Sequence, residues 1–463
     1  MRFACSLGLT VFAVHVAAGS AIAQPAKEVA GSQDMASFDK DLDALLVKGG
    51  LTADQASARA AGVSPAVRRA AAQIDIAVEQ ARTAELARVP HVGVTGTYTR
   101  LSPLDPISFG PGAPPFTFAE NSYAAAASIG VALSDYVVRY PKLVEGARLG
   151  VEAARTGKRS NEIDAGQDAR LAYYEWVRAR LQVMVATRQL TQVRATLGQV
   201  RALADAQRLS KADLMRVESQ EAQAEQILDQ LNNLAGLREE QLRLLIGAGN
   251  EPLVIGEDIR ADLQAPGAQP LDDLLGTAKR QRLAFRSLDV GIRAKDKQRE
   301  AEKVGRYPKL SAFASADYAR PNQRVFPQVD EFRFTWQAGL QLSWTLNETL
   351  VTQANVRRYE AEARSLHADR DALERGTRIE VLASQQAVSL AQRSLSTSQK
   401  GLAAAEESYR VRQALLAAQR ATAVELVDAE TELTRARITA LNARIDLRVA
   451  IAQLAHALGN DAK

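Results

Sequence analysis

From Phe332 to Trp344 hydrophobic and polar positions alternate without a fault. Phe332, Phe334, Trp336, Ala338, Leu340, Leu342 and Trp344 fall on one side; Arg333, Thr335, Gln337, Gly339, Gln341 and Ser343 fall on the other. A period of two with one apolar and one polar face predicts a β-strand. The preceding stretch alternates too, with Leu310, Ala312, Ala314, Ala316 and Tyr318 opposed to Ser311, Phe313, Ser315 and Asp317. Residues 320–331 read as the loop between the two. An earlier pair has the same form. Val92, Val94, Gly96 and Tyr98 oppose Gly93, Thr95, Thr97 and Thr99, and alternation resumes from Tyr123 to Ser134 after a loop rich in Pro, Gly and Phe.

Each predicted strand has about 10 to 13 residues, enough to cross a bilayer when tilted. Aromatic residues stand at the ends of the apolar faces: Tyr98, Tyr123, Tyr318, Phe332, Phe334 and Trp344. A membrane barrel places its interfacial girdle there. A soluble sheet with one buried face would alternate in the same way. The aromatic ends, an export signal and very long helices favour the membrane. Four strands cannot close a barrel, and an open edge is not tolerated in lipid. A trimer would supply about twelve strands.

After each strand pair the period changes to that of a helix. Trp176, Val183, Leu190, Leu197 and Ala204 recur every seven residues, and so do Val388, Leu395, Leu402, Tyr409 and Leu416, shifted by 212 residues. Leu426, Leu433, Ala440, Leu447 and Leu454 keep the spacing on the return. Seven-residue spacing marks coiled-coil packing. Helices over about 141–207 and 350–419 would each be about 100 Å long. The returning helices end at Gly247 and Gly459, and shorter entering helices over 64–88 and 271–306 would stack on them. A further short helix is expected from Phe38 to Val47, ending at Gly49-Gly50.

The shift of 212 marks an internal duplication. Its clearest signature is the pair of breaks at 207–214 and 419–426. In each, a Ser or Thr (Ser210, Thr422) precedes an acid by three residues (Asp213, Glu425), the pattern of a capping box. Each break therefore reads as the tip of a helical hairpin.

The chain starts with a basic residue, Arg2, an apolar run and the small-x-small site Ala21-Ile-Ala23, which together predict an export signal over 1–23. The one cysteine, Cys5, lies inside it, so the mature chain is expected to lack disulfides. The net charge of +4 is too mild to suggest nucleic acid. Aromatic residues make up 5% of the chain against 46% hydrophobic, which suits close-packed Ala-rich helices better than a bulky core. His91, His367 and His456 are isolated in sequence, without metal-ligand spacing. No GxSxG, P-loop or Rossmann fingerprint is present. Neither catalysis, a metal nor a cofactor is expected.

Order, spacing and repetition of these features resemble the TolC family of outer-membrane efflux proteins over nearly all of the mature chain. The carriers are the tips Arg208-Leu-Ser-Lys-Ala-Asp-Leu214 and Thr422-Ala-Val-Glu-Leu-Val-Asp-Ala429, with Arg306-Tyr-Pro-Lys-Leu310 and Gly339-Leu-Gln-Leu-Ser-Trp344 around the second strand pair. The resemblance implies a mainly α chain with a membrane β-barrel, closed as a twelve-stranded homotrimer and continued by a long periplasmic helical barrel. It implies a passive duct in the outer membrane of a Gram-negative bacterium, in contact with outer-membrane lipid and opened by a periplasmic adaptor and an inner-membrane pump. It assigns adaptor contact to Arg208, Leu209, Ser210, Lys211, Asp213, Leu214, Arg420, Ala421, Thr422 and Leu426. It assigns the pore constriction to Glu425 and Asp428. Glu425 also reads as a capping residue with Thr422, which leaves Asp428 as the better pore residue. Two positions depart from the family pattern. Gln207 and Gln419 stand where Gly is common, and Ala421 stands where a basic residue helps hold the constriction closed.

The expected organisation is then a signal (1–23), an N-terminal periplasmic segment (24–63), repeat 1 (64–249), an equatorial linker (250–270), repeat 2 (271–459) and a short tail (460–463). An exported coiled-coil adaptor is the alternative; it would account for the hairpins and the export but not for the two strand pairs.

Overall fold

The computed structural model describes residues 30–462 apart from 108–109, 111, 113–117, 208, 262, 264–265, 268, 327 and 419. The expected export signal, Arg208 and Gln419 lie outside the described residues.

The elements run in the order α1 (Ala30–Leu45), β1 (Leu46–Leu51), α2 (Ala53–Val63), α3 (Pro65–Leu86), β2 (His91–Arg100), β3 (Asn121–Ala132), α4 (Leu133–Val137), α5 (Arg139–Asp205), α6 (Lys211–Ile246), α7 (Leu271–Gln281), α8 (Leu283–Lys303), β4 (Lys309–Arg320), β5 (Arg333–Ser343), α9 (Leu346–Ala417) and α10 (Ala423–Leu458). The two long helices hold 67 and 72 residues, about 100 and 110 Å at 1.5 Å per residue. The returning helices α6 and α10 hold 36 residues each, about half that length.

α5 packs on α6 and α9 on α10 as two hairpins, while α3 and α8 accompany the other halves of α5 and α9. Heptad positions supply the packing. Trp176, Leu190 and Leu197 are buried on α5, and Leu426, Leu433, Ala440, Leu447 and Leu454 on α10.

Each entering helix is in two pieces. In the first copy α2 stops at Ser64, whose ψ of 129° leaves the helical region, and Pro65 starts α3. In the second copy Arg282 does the same with ψ 121°. One continuous helix over 271–306 was the expectation. The helical periodicity runs through Arg282 because the break costs a single residue. Gly247 and Gly459 cap α6 and α10 in the left-handed region (φ 65° and 74°) and press on these breaks. A Cβ on Gly459 would come within 2.9 Å of the Arg282 backbone N, and one on Gly247 within 2.8 Å of a Val63 methyl. The returning helix of each copy thus abuts the joint of its own entering helix.

The sequence reading also placed a short helix ending at Gly49-Gly50. The helix ends earlier, at Leu45, and those glycines belong to strand β1. β1 runs parallel to the linker at Ile255, with Leu51 N–H donating to Val254 O (2.8 Å) and Gly256 N–H to Leu51 O (2.8 Å). Only glycine fits at Gly50 and Gly256, because a Cβ on either would lie within 3 Å of the other strand's backbone. This small β contact seats α1, α2 and the linker against the middle of α5. There Tyr173, Trp176, Val177, Leu242, Ile246, Ile255 and Ile259 form a continuous core.

The four remaining strands make one antiparallel sheet in the order β2-β3-β4-β5. β3 ends at Ala132, two residues short of the expected Ser134. Leu133–Val137 form a helical turn instead, and the Ser134 hydroxyl accepts from Leu310 N–H at 3.3 Å.

Candidate functional site

Two regions carry the sequence expectations: the face of the sheet and the hairpin tips.

Register brings the apolar positions of all four strands together. Val92 lies opposite Ile129 and Tyr98 opposite Tyr123; Ile129 lies opposite Ala314 and Ala125 opposite Tyr318; Ala312 lies opposite Leu340 and Tyr318 opposite Phe334. Directly opposed residues share a face, so one side of the sheet is apolar across its full width. That side is bare in the single chain: Val94 is 82% exposed, and Leu340 and Leu342 are each 70% exposed. Tyr98 and Tyr123 sit 5.1 Å apart, and Tyr318 stacks on Phe332 at 5.0 Å. These residues gather with Phe334 at the loop end of the sheet, while Trp344 stands at the helix end. Arg100 with Glu120 and Arg320 with Asp330 form ion pairs beside the aromatic cluster.

The opposite face carries Thr95, Thr97, Ser128, Ser315, Thr335, Gln337 and Gln341. Phe313 is the one large apolar side chain on it. Its two cross-strand partners are Gly130 and Gly339, and the ring lies over Gly339, where a Cβ would meet it at 3.1 Å. β2 and β5 each have a strand neighbour on one side only.

At the tips the caps form by half. Ser210 Oγ accepts from Asp213 N–H (3.2 Å) and Thr422 Oγ1 from Glu425 N–H (3.3 Å). The reciprocal arm of the capping box is replaced in both. Asp213 Oδ2 accepts from the Ser210 hydroxyl at 2.6 Å, and the Glu425 carboxylate pairs with Arg412 across the hairpin on α9. Gln207 adopts a left-handed φ of 56°, the one non-glycine residue to do so among the described residues. The first tip therefore makes the turn that glycine would make, at the steric cost of a Cβ.

Leu209 and Leu214 pack against Leu197, Val200, Val217 and Val427. Leu426 is buried with Tyr409, Ala429 and Leu433. Lys211, Arg420, Thr422 and Asp428 are exposed, and Ala421 and Glu425 half-buried. Asp428 lies 3.7 Å from Arg216 of α6. Between tip and mid-height the two hairpins meet through polar pairs. Thr196 Oγ1 donates to Glu430 (3.0 Å), Gln220 to Thr431 (2.9 Å), Gln182 to Asn442 (3.4 Å), and Arg178 pairs with Asp446 (2.6 Å). Sequence reasoning missed Arg216 and Arg412. Arg216 was within reach of it, because it is the equivalent of Asp428 under the 212-residue shift.

Residues 274–460 match the family of outer membrane efflux proteins. The fold is that of outer membrane channels. The chain superposes on CusC, the subject of a study of folding and transmembrane channel formation, with a TM-score of 0.72 and 16% identity, over 90% of this chain and 93% of that one. The open-state MtrE outer membrane channel of Neisseria gonorrhoeae gives 0.72 and 16% identity over 89% of each chain. The CmeC outer membrane channel of Campylobacter jejuni gives 0.72 and 11% identity over 98% of this chain and 94% of that one. No curated protein matches by sequence. The outer-membrane placement expected from the strands agrees with the matched family and with these channels of like fold. Among the described residues no helix is long and apolar enough to cross a membrane.

Proposed function

We propose that three copies of this chain close a twelve-stranded barrel in the outer membrane and a helical cylinder beneath it, forming a passive duct for an efflux or type I secretion system. The observation that carries this reading is the sheet itself. An apolar face four strands wide is bare, and two edges lack partners. Unpaired strand edges in lipid cost several kcal/mol per group, so the strands need further copies.

The helices support the same assembly. α6 exposes Ile227, Leu234, Leu237 and Leu244, and α9 exposes Ile379, Leu382 and Leu390. α6 and α9 flank the two hairpins on opposite sides, so these apolar stripes sit where neighbouring copies would meet. Cylinder and barrel together would span periplasm and membrane.

At the far end, a trimer would bring three Arg216–Asp428 pairs and three Glu425–Arg412 pairs to one rim. We assign the constriction to Asp428, held by Arg216. The exposed Lys211, Arg420 and Thr422 are assigned to the docking edge for a periplasmic adaptor. The tip leucines hold the hairpins together from within. The adaptor reading of the whole chain leaves the bare apolar sheet face without a role.

The test is co-purification from membranes of the full chain with its adaptor and pump, together with single-channel recording in planar bilayers. A discrete trimer that conducts ions is the expected result. A monomer extracted without detergent would overturn the duct.

A further inference from the structure

The two joints of the duplication are alike in backbone and unlike in chemistry. At the second joint His456, in the last turn of α10, holds Nδ1 2.7 Å from Asp461 Oδ2 and Nε2 3.6 Å from Asp164 Oδ1 on α5. The Asp461 side chain is 9% exposed and that of His456 18%. Under the 212-residue shift Leu244 and Gly249 take the places of His456 and Asp461 at the first joint, and Gly376 on α9 is the sequence equivalent of Asp164. The first joint keeps the same left-handed glycine after its helix without a histidine or acid at these places. The histidine and its two carboxylates are therefore not required by the fold.

We infer that His456, Asp461 and Asp164 form a proton-operated clamp that ties the segment after α10, and with it the second joint, to the middle of α5. A charged imidazole bridges two carboxylates from different elements; a neutral one has a single N–H and can donate to only one of them. The charged groups acting on the ring are Asp164 from α5, Asp461 from the tail and Arg282 from the joint between α7 and α8; Asp168, one turn on, acts on Asp164. Arg282 is engaged by Glu380 of α9 at 2.5 Å, so much of its charge is matched.

Burial lowers the imidazole's proton affinity, but Asp461 and Asp164 more than offset it and leave the pKa above 6.5. Burial also raises that of Asp164. A histidine whose pKa rises on folding contributes stability that is present below its unfolded value. That contribution is lost as pH climbs through the folded value. The clamp is therefore closed below the ordinary histidine value and released as pH rises through the raised one. The inference needs only the single chain and does not depend on the duct.

The test uses the full-length protein in detergent with 13C-labelled histidine rings, assigned by loss of one signal in His456→Gln. The His456 signal is expected to titrate above the ordinary histidine value, and to move down in Asp461→Asn. Limited carboxypeptidase digestion gives a second readout. Cleavage into 460–463 should speed up between pH 6 and pH 8, by on the order of tenfold for each unit of pKa shift, and His456→Gln should digest fast at both. A His456 signal that titrates at or below the ordinary value, or tail cleavage with the same pH profile in wild type and His456→Gln, would overturn the clamp.

Discussion

Arg216 and Asp428 are equivalent residues of the two copies, and they face each other at 3.7 Å. The duplication has placed opposite charges at one position, on α6 and α10, so the copies bind each other where an unmodified repeat would set like against like. Both side chains are more than half exposed. Such a pair contributes little to stability, less than about 1 kcal/mol. Asp428→Asn should therefore leave thermal unfolding unchanged while lowering the cation preference of single channels, and Arg216→Ala should raise conductance by loosening the rim. Unchanged selectivity in Asp428→Asn would remove this residue from the constriction.

The two glycine caps should differ in tolerance. Gly459→Ala forces a Cβ toward the Arg282 and Gln281 backbone at about 3 Å and into a left-handed φ. A loss of roughly 1–3 kcal/mol is expected. Gly247→Ala meets the Val63 side chain, which can rotate away, so the smaller loss is expected there. Urea unfolding of the two variants side by side gives the comparison.

Alternate residues of β5 should respond oppositely to the same charge. Leu340→Lys puts an ammonium on the apolar face, at a cost of about 2–4 kcal/mol near the bilayer midplane, and should abolish recovery of assembled protein from outer membranes. Gln341→Lys, one residue on, places it on the polar face, where assembly should persist and ion selectivity shift. Equal loss in both would argue that the sheet meets no lipid.

Gln207→Gly should stabilise the first tip. A left-handed Cβ costs roughly 1–2 kcal/mol, and the added freedom of glycine in the unfolded chain returns part of that. Slower hydrogen exchange in residues 203–214 is the expected signature. Thr422→Ala, which removes the Glu425 N–H acceptor, should do the reverse at the second tip by about 1 kcal/mol.

Legibility in the sequence followed the range of the interactions. Strands with a bare face keep strict alternation, so β4 and β5 could be read almost to the residue. Heptads repeated over long helices did the same for α5 and α9. The breaks at Ser64 and Arg282 rest on one residue's backbone and on a glycine arriving from far along the chain, so Arg282 passed as helix. β1 was hidden because its partner, Ile255, lies in the linker some two hundred residues away. At the tips, cap residues were readable as local pairs. The partners of Glu425 and Asp428 were not, since Arg412 and Arg216 come from other helices. His456 looked isolated because one of its partners, Asp164, comes from another helix and the other, Asp461, is brought to it by the turn at Gly459.

The unequal joints give the proposed assembly two symmetries at once. Each chain would contribute two staves to the cylinder, so the wall is built from six backbones of nearly one shape. Charge does not follow shape: His456 and Asp428 mark only every second stave, with Leu244 and Arg216 on those between. Any proton or partner that acts on these residues would move alternate staves and leave the rest as fixed supports.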